Sequence, residues 1–417
     1  MEAASASTST QASTSQAEPP NQAHATTVTG NGSAVTEDEA ALYDRQIRLW
    51  GLAAQNRLRS AHILIVGWNG IATEIIKNTV LSGIGSITVL DPTVIDGSVD
   101  LLSGFFFRDE EVGELKCSQA PLDRVRALNP LVKVHGLSDV QSYEALLKGG
   151  DEAQAWLKER GVDVVVAGTP LPETQAGDSG LREKLVKLNG TARAAGIKFF
   201  FSATQGFGGF YFADQITHDY IIERSLPPAA SSVGSNKPST DASETTTETQ
   251  RVKQRQTFVP LSESLAQQWT GLTERQQRRT RIPLDWFIWL SLTDLQTRLS
   301  HNSTDTSVSA SALKDRTTAL IREKGLNPAT VFSQFAGGAS GGDAVDRIFG
   351  SVVSLGGSGV ALAPVASVVG GVLSQDILNS IGGREQPVVN WLFLSIDASG
   401  ATSVHKIGAL PNPITVD

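Results

Sequence analysis

The sequence predicts an α/β fold: a parallel sheet covered by helices on both faces, preceded by a polar tail and interrupted late by a mostly helical stretch. Three observations carry this expectation. The apolar runs HILIVG (62–67), SITVLD (86–91), VDVVVAG (162–168) and KFFFSA (198–203) have the length and the β-branched or aromatic content of strands buried on both sides. Segments with helical apolar spacing separate them. The first run also passes through a glycine-containing turn into its helix, so residues 62–91 read as a βαβ unit of Rossmann type.

Residues 1–35 are Ser/Thr/Ala-rich and nearly without aromatics, so they bury too little apolar surface to offset chain entropy and are expected to be disordered. Thr36 and Glu39 then form a capping-box pair with acids in the first turn, which predicts a helix from about residue 37 to the stop at Gly51. IATEIIKNTVLSG follows the first strand, with Ile71, Ile75 and Thr79 on one stripe. The alternation continues through VKVHGL, helices near 141–159 and 179–195, and a turn with a further strand in GFGGFYFAD. Residues 36–225 are thus the first part of a Rossmann-like domain, and 226–256, rich in Ser, Thr and Pro, read as a disordered insertion. The pattern from 257 to 333 is helical, strongest in PLDWFIWLSLTDLQTRL. Residues 334–417 complete the first domain: a Gly/Ser-rich loop at 336–358, a helix from LAPVASVVGGVLSQDILNSIGG, and a strand in VVNWLFLSID.

Composition narrows the function. The 417 residues are 40% hydrophobic and 19% charged, as in ordinary globular chains. No run of about 18 apolar residues occurs and no signal-peptide pattern opens the chain, so no membrane partner is expected. A net charge of -8 argues against a general nucleic-acid binder. The lone Cys117 excludes an internal disulfide and fits a reducing compartment, nucleus or cytoplasm. The six histidines are scattered without ligand spacing, so no metal site is expected. The short basic runs RVKQR (251–255) and RRTR (278–281) suit either nuclear import or a solvated face.

The turn itself, GWNGIA, is obstructed. A dinucleotide turn needs small residues where backbone meets phosphate, and here Gly67 and Gly70 are accompanied by Trp68, Asn69 and Ala72. Asp91 stands where an acid would hold a ribose. On the loop alone a plain structural turn is the favoured reading, and an NAD- or FAD-dependent oxidoreductase is disfavoured for the same reason. In YDRQIRLWG, Arg45 and Arg48 lie about one helical turn apart, a spacing that suits either a phosphate clamp or a solvated basic edge.

The order of four blocks then resolves the family. YDRQIRLWG, the Rossmann-like turn, GELKCSQA with ALNP, and the pair IKFFFSATQGFGGFYFAD and LAPVASVVGGVLSQDIL together resemble the ThiF/MoeB-type adenylating enzymes that activate ubiquitin-like proteins. The similarity is closer to the small, regulatory subunits of SUMO-activating heterodimers than to those of the cullin-modifier (Nedd-type) enzyme, whose insert is larger. Active members carry G-x-G-G-x-G at the loop, an acid after the second strand, an Arg-Gln pair before Gly-x-x-Lys, and an aspartate after a later strand that helps hold magnesium. Gly67, Gly70, Asp91 and Lys116 match. Ser103 and Gly104 stand in place of Arg-Gln, and Thr169-Pro170 follows VDVVVAG without a carboxylate. The resemblance therefore implies a decayed site that holds neither ATP nor Mg2+, in a chain paired with a larger subunit that binds both. Catalysis of phosphoryl and adenylyl transfer is largely electrostatics and positioning, so a pocket without these groups is expected to be inactive alone.

Further expectations follow from the resemblance. Arg45 is lent in trans to the partner's ATP, while Arg48 is an ion-pair or packing residue. SUMO is handled indirectly, and the heterodimer works in the nucleus. Cys117 follows Lys116 in an expected helix and is a buried structural thiol, because the family's thioester cysteine lies in a separate insert and the stretch here has none. Phe105–Phe107 occupy the lost active-site segment, and a subunit contact is slightly preferred over core packing. A pure scaffold without any catalytic residue is the remaining rival.

Overall fold

The computed structural model describes residues 42–173, 180–225, 249–281, 283–302, 307–335, 341–356, 361–395 and 401–416. The expected tail at 1–35 and the first part of the insertion at 226–256 lie outside them. So does the helix start near 37; the described helix α1 begins at Asp44 (Asp44–Trp50) and is followed, after Gly51, by α2 (Leu52–Ser60).

The chain from Tyr43 onward is one unit built on an eight-stranded sheet. Its strands are β1 (His62–Val66), β2 (Ser86–Leu90), β3 (Lys133–Leu137), β4 (Val164–Gly168), β5 (Lys198–Gln205), β6 (Gly208–Asp214), β9 (Trp391–Leu394) and β10 (Thr402–His405), in the order β10-β9-β6-β5-β4-β1-β2-β3. The five strands β3-β2-β1-β4-β5 are parallel, with Ile63 opposite Val164 and Ile87, and helices make every crossover between them. The other three are antiparallel. That departs from the all-parallel expectation for a local reason: Gly206 and Phe207 alone join β5 to β6, and a connection this short only reverses direction. Gly206 has φ +57, which suits the turn.

One face is covered by α3 (Gly70–Leu81), α4 (Gln119–Leu128) and the C-terminal α14 (Ala363–Gly382), whose apolar residues join Ile63, Ile65, Val89, Val166, Phe200 and Tyr211 in one core. The expected stripe of Ile71, Ile75 and Thr79 is buried there. The other face receives α5 (Val140–Lys148), α6 (Asp151–Glu159) and α7 (Leu181–Ala194), the first two replacing the single helical stretch expected near 141–159 because Gly149 and Gly150 divide it.

The late helical stretch shares that second core. Its helices are α8 (Leu261–Ala266), α9 (Glu274–Thr280), α10 (Leu284–Asn302), α11 (Ala310–Glu323) and α12 (Pro328–Phe335). Trp286, Phe287, Ile288 and Trp289 of α10 are buried, and the Trp289 ring lies 5.3 Å from Phe201 of β5 and 5.5 Å from Phe210 of β6. This helix is therefore a lid on the sheet.

Two boundaries are corrected. Residues 249–256, placed in the disordered insertion, belong to β8 (Thr249–Thr257), which pairs with β7 (Thr217–Ser225) and β11 (Ile414–Thr415) in a second, antiparallel sheet. The Gly/Ser-rich loop expected at 336–358 contains helix α13 (Gly341–Gly356), whose Val345, Ile348, Phe349 and Val352 are buried at helical spacing.

Candidate functional site: a filled nucleotide loop and an outward arginine

β1 delivers its chain to the turn at Gly67. There φ is +84 and an added Cβ would fall 2.8 Å from the Gly168 carbonyl, so glycine is required by conformation and by space. Asn69 caps α3: its Oδ1 accepts the Ala72 N–H at 2.9 Å, and its Nδ2 donates to the Thr169 carbonyl at 2.9 Å. One of the N–H groups that a phosphate would take at a helix N-terminus is thus already satisfied by a side chain. The space beside Gly70 is closed by Ser103, whose hydroxyl a Cβ on Gly70 would strike.

Trp68 packs into the core behind the loop. It is 1% exposed, its Nε1 donates to Thr73 Oγ1 at 3.1 Å, and its ring centroid lies 5.0 Å from Phe107 and 6.0 Å from Phe106. Phe106 and Phe107 are buried, and Phe105 alone is exposed, at 44%, with Lys77 Nζ 5.6 Å above its ring. The preference for a subunit contact across all three is corrected: two of them are core residues, because the indole gives them a partner inside.

The matching polar residues are consumed by the same plug. Asp91 is buried and accepts from Trp68 N at 2.6 Å, Thr93 N at 2.8 Å and Thr93 Oγ1 at 2.6 Å. Lys116 Nζ pairs with Asp100 Oδ1 at 2.8 Å and donates to the Trp68 carbonyl at 3.2 Å. Burial pushes the Asp100 carboxyl above its ordinary range, against the pull of the Lys116 charge. After β4, the Thr169 hydroxyl donates to the Ser202 carbonyl at 2.7 Å. Asp100 was missed in the sequence, where an isolated acid in VIDGSVDLL carries no signal.

These residues do not fit a bound nucleotide triphosphate. The matching cation, Lys116, is paired with Asp100, and the matching acid, Asp91, is tied to two backbone N–H groups and the Thr93 hydroxyl. Among the described residues no group of three or more His, Cys, Asp or Glu is arranged to hold a metal ion.

Arg45 is placed differently. Tyr43 anchors α1 from below: it is buried, its hydroxyl accepts from Asn129 Nδ2 at 2.8 Å, and its ring occupies the space beside Gly83, which has φ +76. Asn129 also donates to the Val80 carbonyl at 3.0 Å, so the YDRQ and ALNP blocks are two halves of one contact. Gln46 Nε2 to the Leu81 carbonyl (3.4 Å) and Trp50 Nε1 to Gln55 Oε1 (2.8 Å) complete the seating. Arg48 forms an exposed 3.1 Å pair with Asp44. Arg45 is exposed and, among the described residues, makes no hydrogen bond or ion pair. Beside it Leu49 is 77% exposed, and Leu52 and Leu81 are also exposed.

Cys117 lies just before α4, outside the helix in which it was expected. It is buried, its Sγ approaches the Val89 carbonyl at 3.5 Å, and burial, reinforced by Asp91, pushes its thiol up to about 12. A thiol so placed is no nucleophile at neutral pH.

The comparisons with known proteins fit this frame. The ThiF family model matches residues 43–413. The chain belongs to the ThiF family. It is 29% identical over 373 residues to SUMO-activating enzyme subunit 1 of Rattus norvegicus, covering 88% of this chain and 94% of that protein. It is 28% identical over 362 residues to the protein of the same name from Xenopus laevis, covering 86% and 93%. It is 29% identical over 369 residues to the DNA damage tolerance protein RHC31 of Saccharomyces cerevisiae, covering 86% and 94%.

Proposed function

We propose that this ThiF-family chain is the non-catalytic subunit of a SUMO-activating heterodimer, supporting ATP-dependent adenylation of SUMO and its transfer to a cysteine of a larger partner. The observation that carries the reading is the pairing of a plugged loop with an unpaired, outward Arg45. Trp68 is buried behind the loop and Lys116 is neutralised by Asp100, while Arg45, without a partner among the described residues, stands on a helix flanked by exposed leucines; this supports an arginine that serves a site elsewhere. The names of the rat and frog relatives favour SUMO over the cullin modifier.

In this reading ATP and Mg2+ belong to the partner, and Arg45 reaches the partner's phosphates across the interface. A guanidinium in a partly dehydrated site stabilises charge developing on phosphate oxygens, and finger arginines contribute on the order of 10³ in rate or more. The assembly acts in the nucleus, with the cytoplasm as the other reducing compartment. The test is ATP–pyrophosphate exchange by the reconstituted pair. Arg45→Ala lowers exchange about 10³-fold while leaving the pair assembled; unchanged exchange leaves only a scaffold. Formation of an acyl-adenylate by the isolated chain overturns the reading altogether.

A further inference from the structure

At the opposite end of the sheet from Gly67, where β4 and β5 begin, two adjoining clefts of about 550 and 310 Å³ share Arg57, Lys198 and Ile381 in their walls. Lys158 lines the larger and Lys253 the smaller. Arg57 and Lys198 each approach the C-terminal carbonyls of α14. Lys198 Nζ donates to the Ser380 carbonyl at 2.5 Å, and Arg57 Nη2 donates to that of Gly382. Capping a helix C-terminus is one function for these cations, but it uses only part of them. An ammonium has three N–H donors and a guanidinium five, and the described contacts take one from each.

The charge is not balanced locally either. Asp163, on the larger cleft, accepts from the His62 N–H at 2.8 Å and carries a charge that acts on Lys198. Asp219, on the smaller, takes Arg255 through two bonds of 2.5 and 2.8 Å and shares Lys253 at 3.1 Å. His218 is neutral, since burial holds it down to about 4. Asp376, fully buried behind Lys198, has its carboxyl pushed up to about 7 by burial, so it cancels at most part of one charge. On the larger cleft Arg57, Lys158 and Lys198 therefore face one lining carboxylate, Asp163, in a chain with net charge -8.

We propose that this double cleft binds a small phosphate-type oxyanion, inorganic phosphate or pyrophosphate, through Arg57 and Lys198. The inference stands on this cleft alone and is independent of the Trp68 loop and of any partner. The probe is pyrophosphate, titrated calorimetrically into the full-length chain at fixed ionic strength, with inorganic phosphate in parallel. Saturable binding is expected. Lys198→Met weakens it at least tenfold. Ser60→Glu, which sets a carboxylate on the exposed rim beside Arg57, and Lys158→Gln test the site from surface positions, so the result does not depend on Lys198→Met folding. Ser60→Glu is expected to weaken binding at least tenfold and Lys158→Gln several-fold. Absence of saturable heat, or binding by Ser60→Glu equal to the parent chain, overturns the proposal and leaves helix capping as the role of both cations.

Discussion

Replacing Trp68 by alanine tests the plug directly. The side chain is 1% exposed and in contact with Phe106 and Phe107. A tryptophan buries about 150–250 Å², worth about 4–6 kcal/mol at roughly 25 cal/mol per Å². The methyl left by alanine recovers a little of this, and measured truncations of core aromatics to alanine cost about 3–5 kcal/mol. The Thr73 hydroxyl also loses its indole donor. For a unit of this size, about 1–2 °C is lost per kcal/mol, so the thermal midpoint should fall by roughly 4–8 °C. The assay is calorimetric unfolding, paired with titration of ATP and magnesium into the folded variant. Removing the indole leaves Lys116 on Asp100 and Asp91 on the backbone N–H groups of residue 68 and Thr93, so no saturable nucleotide binding is expected up to millimolar ATP. Micromolar affinity would show that the indole alone closes the site and would refute the electrostatic part of the reasoning. An unchanged midpoint would refute the packing part.

Three other outcomes follow. Tyr43→Phe leaves one buried N–H of Asn129 without its acceptor, so the chain loses about 1–3 kcal/mol, read by urea unfolding, and exchange by the reconstituted pair falls because α1 carries Arg45. Cys117 is alkylated by iodoacetamide at pH 7 only after unfolding, as mass spectrometry of native and denatured samples will record; rapid native labelling contradicts a thiol held up at about 12. Asp376 has its folded pKa raised to about 7 by burial, with Tyr211, the Val388 N–H and Lys198 facing it, so the native state binds the extra proton between about pH 4 and 7. Stability contributed by that proton is present at low pH and is lost as pH rises through 7, by up to about 4 kcal/mol. Lys198, held down to about 8 by burial, acts in the opposite direction but only above pH 8. Asp376→Asn should flatten the pH 4–7 slope measured by denaturant unfolding.

The sheet was legible because its strands are buried on both faces and read as unbroken apolar runs, and the loop because glycine spacing is local. What escaped depends on distant partners. β8, TQRVKQRQT, has no apolar alternation and becomes a strand only by pairing with β7 across the intervening segment. The apolar positions of α13 were present at 345, 348, 349 and 352 but were outweighed by the glycine and serine around them. At the site, the sequence marked Trp68 as an obstruction. It did not reveal that Asp100 would take Lys116, or that Ser103 would press on Gly70, since both contacts join residues that share no periodic pattern.

The pattern of retained and lost residues gives the plugged loop its meaning. Relaxed selection on a nucleotide site would leave a partly empty cleft with unpaired groups, each a cost of about 1–3 kcal/mol when buried. Here every matching residue has acquired a structural role. Gly67 holds the turn, Gly70 lies close against Ser103, Asp91 gathers three donors, and Lys116 closes on Asp100 and the Trp68 carbonyl, while the non-matching Asn69 caps α3. These contacts tie the end of β1 to the start of α3 and stiffen both. That stiffness bears on Arg45, because α3 ends where Val80, Leu81 and Gly83 receive Asn129, Gln46 and Tyr43. A guanidinium offered to another subunit works only if its helix arrives preorganised, and a helix of seven residues has little stability of its own. The loop contacts and the seat of α1, the helix that carries Arg45, therefore lie at the two ends of one helix, α3, which is what the proposed role of Arg45 requires.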